Sequence, residues 1–285
     1  GYDATGRGSG GGPSGNDAHG TNCAGIAAAV TDNALGVAGI ARLAKIMPVR
    51  IFYEAPGGQL VSTDAGVADG ITWAVNQGAD VLSNSWGGGS PSTVITNAIN
   101  SAKSNGRGGK GCVVVFAAGN DNGPVSYPAT LSNVLAVGAL SPCDERKSPT
   151  SCDAEGWWGS NYGPELDISA PGVHMYSTDI QGTAGYGSGN YYYNFNGTSS
   201  ATPVVAGVAA LILGQNPNLT AGEVENILQS TADDLGPSGR DDNTGYGRVN
   251  AYKALMTRKT LGDLNGDRTS DILCRHRIRG QVYLY

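Results

Sequence analysis

The chain has 285 residues, of which 45 are glycine, 18 are Lys or Arg and 24 are Asp or Glu, giving a net charge of −6. Glycine is at more than twice its usual share of about 7% but follows no three-residue period, which excludes collagen, and a 40% hydrophobic content argues against a disordered chain. The acidic balance argues against a nucleic-acid partner, and the longest apolar run (201–213), broken by Thr202, Pro203 and Gly207, falls short of the roughly 18 residues of a membrane span.

The sequence opens at Gly1 on no basic, apolar leader. Residues 4–16 (ATGRGSGGGPSGN) form a glycine-rich loop, and 20–30 are small and apolar enough for a tightly packed helix. AKIMPVRIF (44–52) reads as a strand. Val67, Ile71 and Val75 share one face of a helix expected over 64–77. DVLSNSW (80–86) is expected as a strand, 92–104 as a helix, and CVVVFAAG (112–119) as a strand buried on both faces, as in parallel sheets. Further strands are expected at NVLAVGAL (133–140) and ELDISA (165–170), a buried helix at 199–213, and an amphipathic helix at 218–231, with Thr220 as its cap and Glu223 three residues on. Alternating strands and helices imply an α/β fold with a mostly parallel sheet.

Cys143 and Cys152 flank the polar stretch DERKSPTS; a local disulfide there fits a secreted protein, and two free thiols are the alternative. Cys23 and Cys112 sit in small, apolar runs and read as buried thiols.

Three strings carry chemistry. AHGTNCAG sets His19 at the mouth of a helix, FAAGN ends a buried strand at Asn120, and NGTSSATPVVAG opens a buried helix at Ser199. A serine hydroxyl becomes a competent nucleophile when an imidazole takes its proton. At a helix N-terminus it also lies beside unpaired N–H groups and the positive end of the dipole, which favour an oxyanion. The Asn120 carboxamide can supply a second oxyanion donor. Taken singly, each residue has a plainer reading: His19 as a loop or cap residue, Ser199 as an N-cap, Asn120 as part of a turn.

Together, in this order, the three strings resemble the subtilisin-like serine peptidases over about residues 1–256. The resemblance implies a three-layer fold, with His19 as general base, Ser199 as nucleophile and Asn120 as oxyanion donor. It implies that SWGG places Ser85, Trp86 and Gly87 along the substrate, that Ala117, Ala118 and Gly119 form the opposite wall of the main specificity pocket, and that Ser126 in SYPAT lies at its floor. For Trp86 the alternative is plain core packing. TDNALGVAG (31–39) resembles half of a family calcium loop, with Asn33 offering a side-chain oxygen. Cys23 after HGTN is also similar to the kexin-like branch, but the neutral Ser126 points to a broad or apolar preference.

The resemblance further implies an aspartate that orients the histidine, at the end of a core strand roughly 30 residues before it. Only Asp3 and Asp17 precede His19. Asp17 is too close in sequence to turn back to the ring, and Asp3 resembles the end of the family's second strand. The expectation is therefore a peptidase domain over 1–258 without its first, Asp-bearing strand, truncated at its N-terminus and weakly active or inactive by itself. A non-catalytic binding or adhesion protein on a degenerate peptidase scaffold is the rival reading.

In the remaining segment, 259–285, Asp263, Asn265, Asp267 and Asp271 alternate oxygen side chains as calcium prefers, although Arg268 and Cys274 rule out an EF-hand. DILCRHRIRGQVYLY (271–285) reads as a strand, a turn at Arg279 and Gly280, and a second strand. The segment resembles the opening of an FG-GAP or VCBS-type repeat, incomplete here. Expected, then, are structural calcium with no organic cofactor, a polypeptide substrate, a monomeric peptidase domain and a secreted location.

Overall fold

The structure is a computed structural model; it describes residues 1–13, 15–56 and 59–257, together with the backbone of 273–275 and 282–284. In chain order the first elements are β1 (Tyr2–Asp3), α1 (His19–Ala28), β2 (Val49–Arg50), β3 (Tyr53–Glu54), β4 (Leu60–Val61) and α2 (Asp64–Asn76). The centre follows as β5 (Val81–Asn84), α3 (Thr93–Gly109), β6 (Val113–Ala117), β7 (Leu135–Leu140) and β8 (Ile168–Pro171). Then come β9 (Met175–Thr178), β10 (Tyr191–Phe195), α4 (Thr198–Gln215), α5 (Ala221–Ser230), α6 (Ala251–Met256), β11 (Leu273–Arg275) and β12 (Val282–Leu284).

The central sheet is parallel, in the order β5-β6-β7-β8, with Val81 opposite Val113, Val115 opposite Leu135 and Val137 opposite Ile168. All five residues of β6 and all six of β7 are buried, because helices cover both faces. Alternate side chains point to opposite layers. Val113, Val115, Leu135, Val137 and Ile168 pack with Val205, Val208 and Ile212 of α4. Val114, Phe116 and Ala136 pack with Val67 and Ile71 of α2 and Ile95 and Ile99 of α3. The result is the three-layer α/β architecture expected from the sequence.

α4 is 18 residues long and apolar on every side, long and apolar enough by composition to cross a membrane; 78% of it is buried in the fold, the position of a core helix. Its Pro203, the sixth helical residue, has no N–H to donate to Ser199 O, which accepts instead from Ser85 Oγ and Cys23 Sγ. α5 starts at the expected cap: Thr220 Oγ1 accepts from Glu223 N, and the Glu223 carboxylate accepts from Thr220 N.

Several boundaries differ from expectation. Of the strand expected over 44–52, only Val49 and Arg50 pair, with Tyr2 and Asp3, in a two-stranded parallel sheet separate from the central one. The strand expected from 165 begins at Ile168, because Asp167 turns its carboxylate onto Ala136 N. The antiparallel pair β9–β10 has no sequence signal of its own: its Tyr-rich and Gly-rich stretch carries no clean alternation. α3 loses helical geometry at Gly106, Arg107 and Gly108; the left-handed Arg107 turns its guanidinium onto Asp80 and the carbonyls of Gly111, Leu219 and Pro217. At the C-terminus the backbone of β11 pairs antiparallel with β12.

Candidate active site

Ser199 is the second residue of α4, and Gly197 is the residue before the helix. Gly197 has φ 117°, a left-handed conformation that favours glycine, and an added Cβ there would meet Asn120 Nδ2 at 3.3 Å. Asn120 follows the buried end of β6. Its Oδ1 accepts from Thr198 N at 2.8 Å and from Thr198 Oγ1 at 2.9 Å. Both acceptor directions are thereby taken, and the Nδ2 donors are turned toward the mouth of α4. Thr198 Oγ1 also accepts from Gly119 N at 3.2 Å, so one threonine clamps the two turns together. Thr198 is absent from the residues expected at the site, although it lies in the NGTSS string beside Ser199.

A cavity of about 220 Å³ opens beside Ser199. It is lined by Ser85, Trp86, Gly87, Ala117, Gly119, Asn120, Ser126 and Ser199 among the residues singled out above, and also by Gly88, Asp121 and Thr198. Ala118 is the exception: it is fully buried behind the wall and does not reach the cavity, because alternation along the strand end turns it into the α2–α3 layer. Trp86 does both jobs weighed for it: it lines the cavity and packs edge-on against Phe116, with its Nε1 donating to Asn84 Oδ1 at 3.2 Å. Ser126 is held by Asn161 Nδ2 at 3.1 Å, and Asn161 Oδ1 accepts from Asp121 N and Gly123 N.

His19 opens α1 and is half-buried, its ring edge-on to Phe195 at 5.4 Å. Burial pushes its pKa below the ordinary value, and the charge of Asp17 pushes back, so the imidazole is neutral near pH 7. Its Nδ1 has Cys23 Sγ at 3.9 Å, one helical turn on, and Cys23 Sγ donates to Ser199 O at 3.5 Å. Burial pushes the Cys23 thiol up to about 12, so it is uncharged at neutral pH and cannot stand in for a carboxylate. Among the described residues no carboxylate hydrogen-bonds to His19. Ser199 Oγ donates to Ser85 O at 3.3 Å, and Ser85 Oγ donates to Ser199 O at 2.8 Å.

Asp3 is engaged elsewhere. It is buried on β1, paired with Arg50 and bonded by Thr5 N and Thr5 Oγ1. Burial raises its pKa, but the bonds from Arg50 and Thr5 outweigh it and hold the carboxyl down at about 2.

A disulfide joins Cys143 to Cys152, with a sequence separation of 9. Lys147 of that loop pairs at 3.0 Å with Asp153, the residue just after it, both side chains fully buried, and Lys147 Nζ also donates to the carbonyls of Ser148 and Glu155. In the 31–39 loop Asn33 is exposed and its Oδ1 accepts from Leu35 N at 3.0 Å, while Thr31 Oγ1 is buried with no partner. Asp263, Asn265, Asp267 and Asp271 lie outside the described residues.

A parallel α/β sheet, a serine at the mouth of a buried helix, an amide donor at a strand end and a cleft between them define a hydrolase of the acyl-transfer class. The family model for the Subtilase family matches residues 6–247, and the chain belongs to that family. It is 41% identical to thermitase of Thermoactinomyces vulgaris, over 86% of this chain and 77% of thermitase. It is 37% identical to a calcium-dependent protease of Trichormus variabilis, over 85% of this chain but 40% of that protein. Among solved structures it resembles fervidolysin from Fervidobacterium pennivorans, a keratinolytic enzyme related to subtilisin, with a TM-score of 0.67 and 33% identity over 84% of this chain and 36% of that one.

Proposed function

We propose that the chain is the peptidase domain of a secreted serine endopeptidase. The observation that carries this reading is the locked Asn120 carboxamide, whose Oδ1 is held by Thr198 so that Nδ2 is free to donate beside Ser199. In this reading a peptide carbonyl enters from the cavity lined by Ser85, Trp86, Gly87 and Gly119. His19, neutral near pH 7, takes the Ser199 proton as Oγ attacks. The oxyanion is held by Asn120 Nδ2 and the Ser199 N–H, a first-turn donor with no partner inside the helix. His19 returns the proton to the leaving amine, and water then releases the acyl-enzyme. The neutral Ser126 at the cavity supports a broad or apolar preference.

The same reading assigns no residue of this chain to the orienting aspartate. Asp3 is tied to Arg50, Asp17 makes no bond to the ring, and Cys23 is uncharged. Removing that aspartate costs about 3 × 10⁴ in kcat in subtilisin, so residues 1–285 alone are proposed to be weakly active. The test is hydrolysis of a chromogenic peptide by 1–285, alone and extended at its N-terminus by an aspartate-bearing strand, alongside fluorophosphonate labelling of Ser199. Ordinary rates from 1–285 alone would overturn the missing aspartate. No labelling in the extended chain would favour the binding-scaffold reading.

Structural calcium is proposed in two places, at Asn33 with the unpaired Thr31 Oγ1 in the 31–39 loop, and at Asp263, Asn265, Asp267 and Asp271 in an FG-GAP or VCBS-type repeat beginning at about 259. The oxygen-rich spacing of the second, and the calcium-dependent protease among the relatives, support it. The disulfide supports an oxidising, extracellular setting. The peptidase domain is proposed to act as a monomer on polypeptide.

A further inference from the structure

Three segments meet beside the turn that carries Ser199. The loop after Asp153 brings Glu155, the turn between β8 and β9 brings His174, and β10 brings Asn194. His174 Nδ1 lies 2.5 Å from Asn194 Oδ1 and 3.8 Å from Glu155 Oε1. Two ligands each about 2.0–2.1 Å from a tetrahedral zinc stand about 3.3 Å apart, so these two separations bracket what a zinc ion needs. The His174 side chain is 48% exposed and can adjust to it.

Charge balance is a stronger reason than distance. The Glu155 side chain is 14% exposed, and the donors that bond its two oxygens are both neutral: Asn196 Nδ2 at 2.9 Å on Oε1, and Trp158 Nε1 at 2.8 Å on Oε2. The neighbouring cations are committed elsewhere. Lys147 Nζ pairs with Asp153 and donates to the carbonyls of Ser148 and Glu155 rather than to the Glu155 carboxylate, and Arg146 donates to Asn122 Oδ1 and to the carbonyls of Lys147 and Ser160. Among the described residues, the imidazole of His174 is the one group able to bring positive charge that pairs with the carboxylate. A largely buried carboxylate without a cation calls for one.

The geometry points to a binding site for a zinc-class divalent cation formed by His174 Nδ1, Glu155 Oε1 and Asn194 Oδ1, with water completing the shell. One imidazole nitrogen with carboxylate and amide oxygens suits zinc or nickel; calcium and magnesium select oxygen alone. No three His, Cys, Asp or Glu side chains converge among the described residues, and here the third ligand is a carboxamide. The cation takes the place of the hydrogen between His174 Nδ1 and Asn194 Oδ1, and the neutral imidazole then carries its hydrogen on Nε2, so coordination needs no net proton loss. The site also touches the nucleophile turn. Asn196, three residues before Ser199, donates to Glu155 Oε1 and to Asn194 Oδ1 and accepts from His174 N at 2.6 Å.

The test is calorimetric titration of the full chain with zinc chloride, with calcium saturating so that all-oxygen sites are filled. Trp158 fluorescence serves as a second probe, since its Nε1 is bonded to the proposed ligand. Neither readout uses peptidase activity, so a failure here is separate from a failure of the proposed function. One zinc per chain is expected. His174→Ala should abolish it, and Glu155→Gln should weaken it by at least the roughly tenfold that loss of even an outer-shell partner costs. The controls His19→Ala and His276→Ala should retain it, and thermal melts of metal-free His174→Ala and wild type should superimpose. No zinc uptake by the wild-type chain, or equal uptake by His174→Ala, overturns the site.

Discussion

Around Ser199 and Asn120 each polar side chain is tied to a second element: Asn120 to Thr198, Thr198 to Gly119, Ser85 to Ser199, Ser126 to Asn161. Around His19 the same kind of contact is missing. Its Nδ1 faces an uncharged thiol at 3.9 Å, and the nearest carboxylate in sequence, Asp17, acts only through its field. The sheets divide in the same way. The β5–β8 sheet runs unbroken under Ser199, while β1 and β2 form a separate pair of two-residue strands. One side of a catalytic site can thus be fully built when the other lacks its orienting partner, because each side is held by a different set of strands.

Several measurements put that contrast at risk. The largest effect is expected in the continuous sheet. Phe116→Ala, fully buried in β6, should cost about 3–5 kcal/mol, read as a drop in the urea midpoint, whereas the half-buried Val49 in β2 should tolerate alanine at under about 1.5 kcal/mol. Equal losses would mean that the two sheets are one cooperative unit. Asn120→Ala should slow fluorophosphonate labelling of Ser199 by about 10²–10³, and Cys23→Ala by less than about tenfold. The reverse order would place the working contact on the histidine side.

Replacing Cys143 and Cys152 by serine should lower stability by about 2–3 kcal/mol, the loop-closure value for roughly ten residues, measured by thermal or urea unfolding. Two carboxylates, the buried Asp3 and the half-buried Asp167, should respond oppositely to acid. Asp3, held down at about 2, contributes stability that is complete above its unfolded value near 3.8 and is lost as pH falls through about 2. Asp167, raised by burial to about 6 against the bonds it accepts, costs stability at neutral pH, and that cost is relieved as pH falls through 6. Urea midpoints of Asp3→Asn and Asp167→Asn at pH 7.5 should therefore fall for the first and rise for the second. The smallest effect is the α5 cap, where Thr220→Ala should cost about 1 kcal/mol.

Much of the built side was legible because its signals are local. A continuous apolar run gives β6, a helix apolar all round gives α4, and HGT, AAGN and NGTSS fix His19, Asn120 and Ser199 at element ends. What escaped was long-range. Whether 44–52 pairs along its length depends on a neighbouring strand, and only Val49 and Arg50 find one. The family resemblance implies Ala118 for the cavity wall, yet strand alternation turns it inward. Thr198 holds Asn120 across 78 residues of sequence, a contact that no spacing rule announces.

Burial of α4 also ties the chemistry to global unfolding. Local opening frees segments with few buried contacts, while core helices open only with the whole fold. Ser199 rides on the most enclosed helix of the molecule, flanked by the fully buried Thr198, Ser200 and Ala201. The amides of α4 beyond its first turn should exchange hydrogen as slowly as the slowest in the chain, and heat should remove fluorophosphonate labelling of Ser199 and the tertiary structure at a single midpoint. Ser199 and the fold share one lifetime.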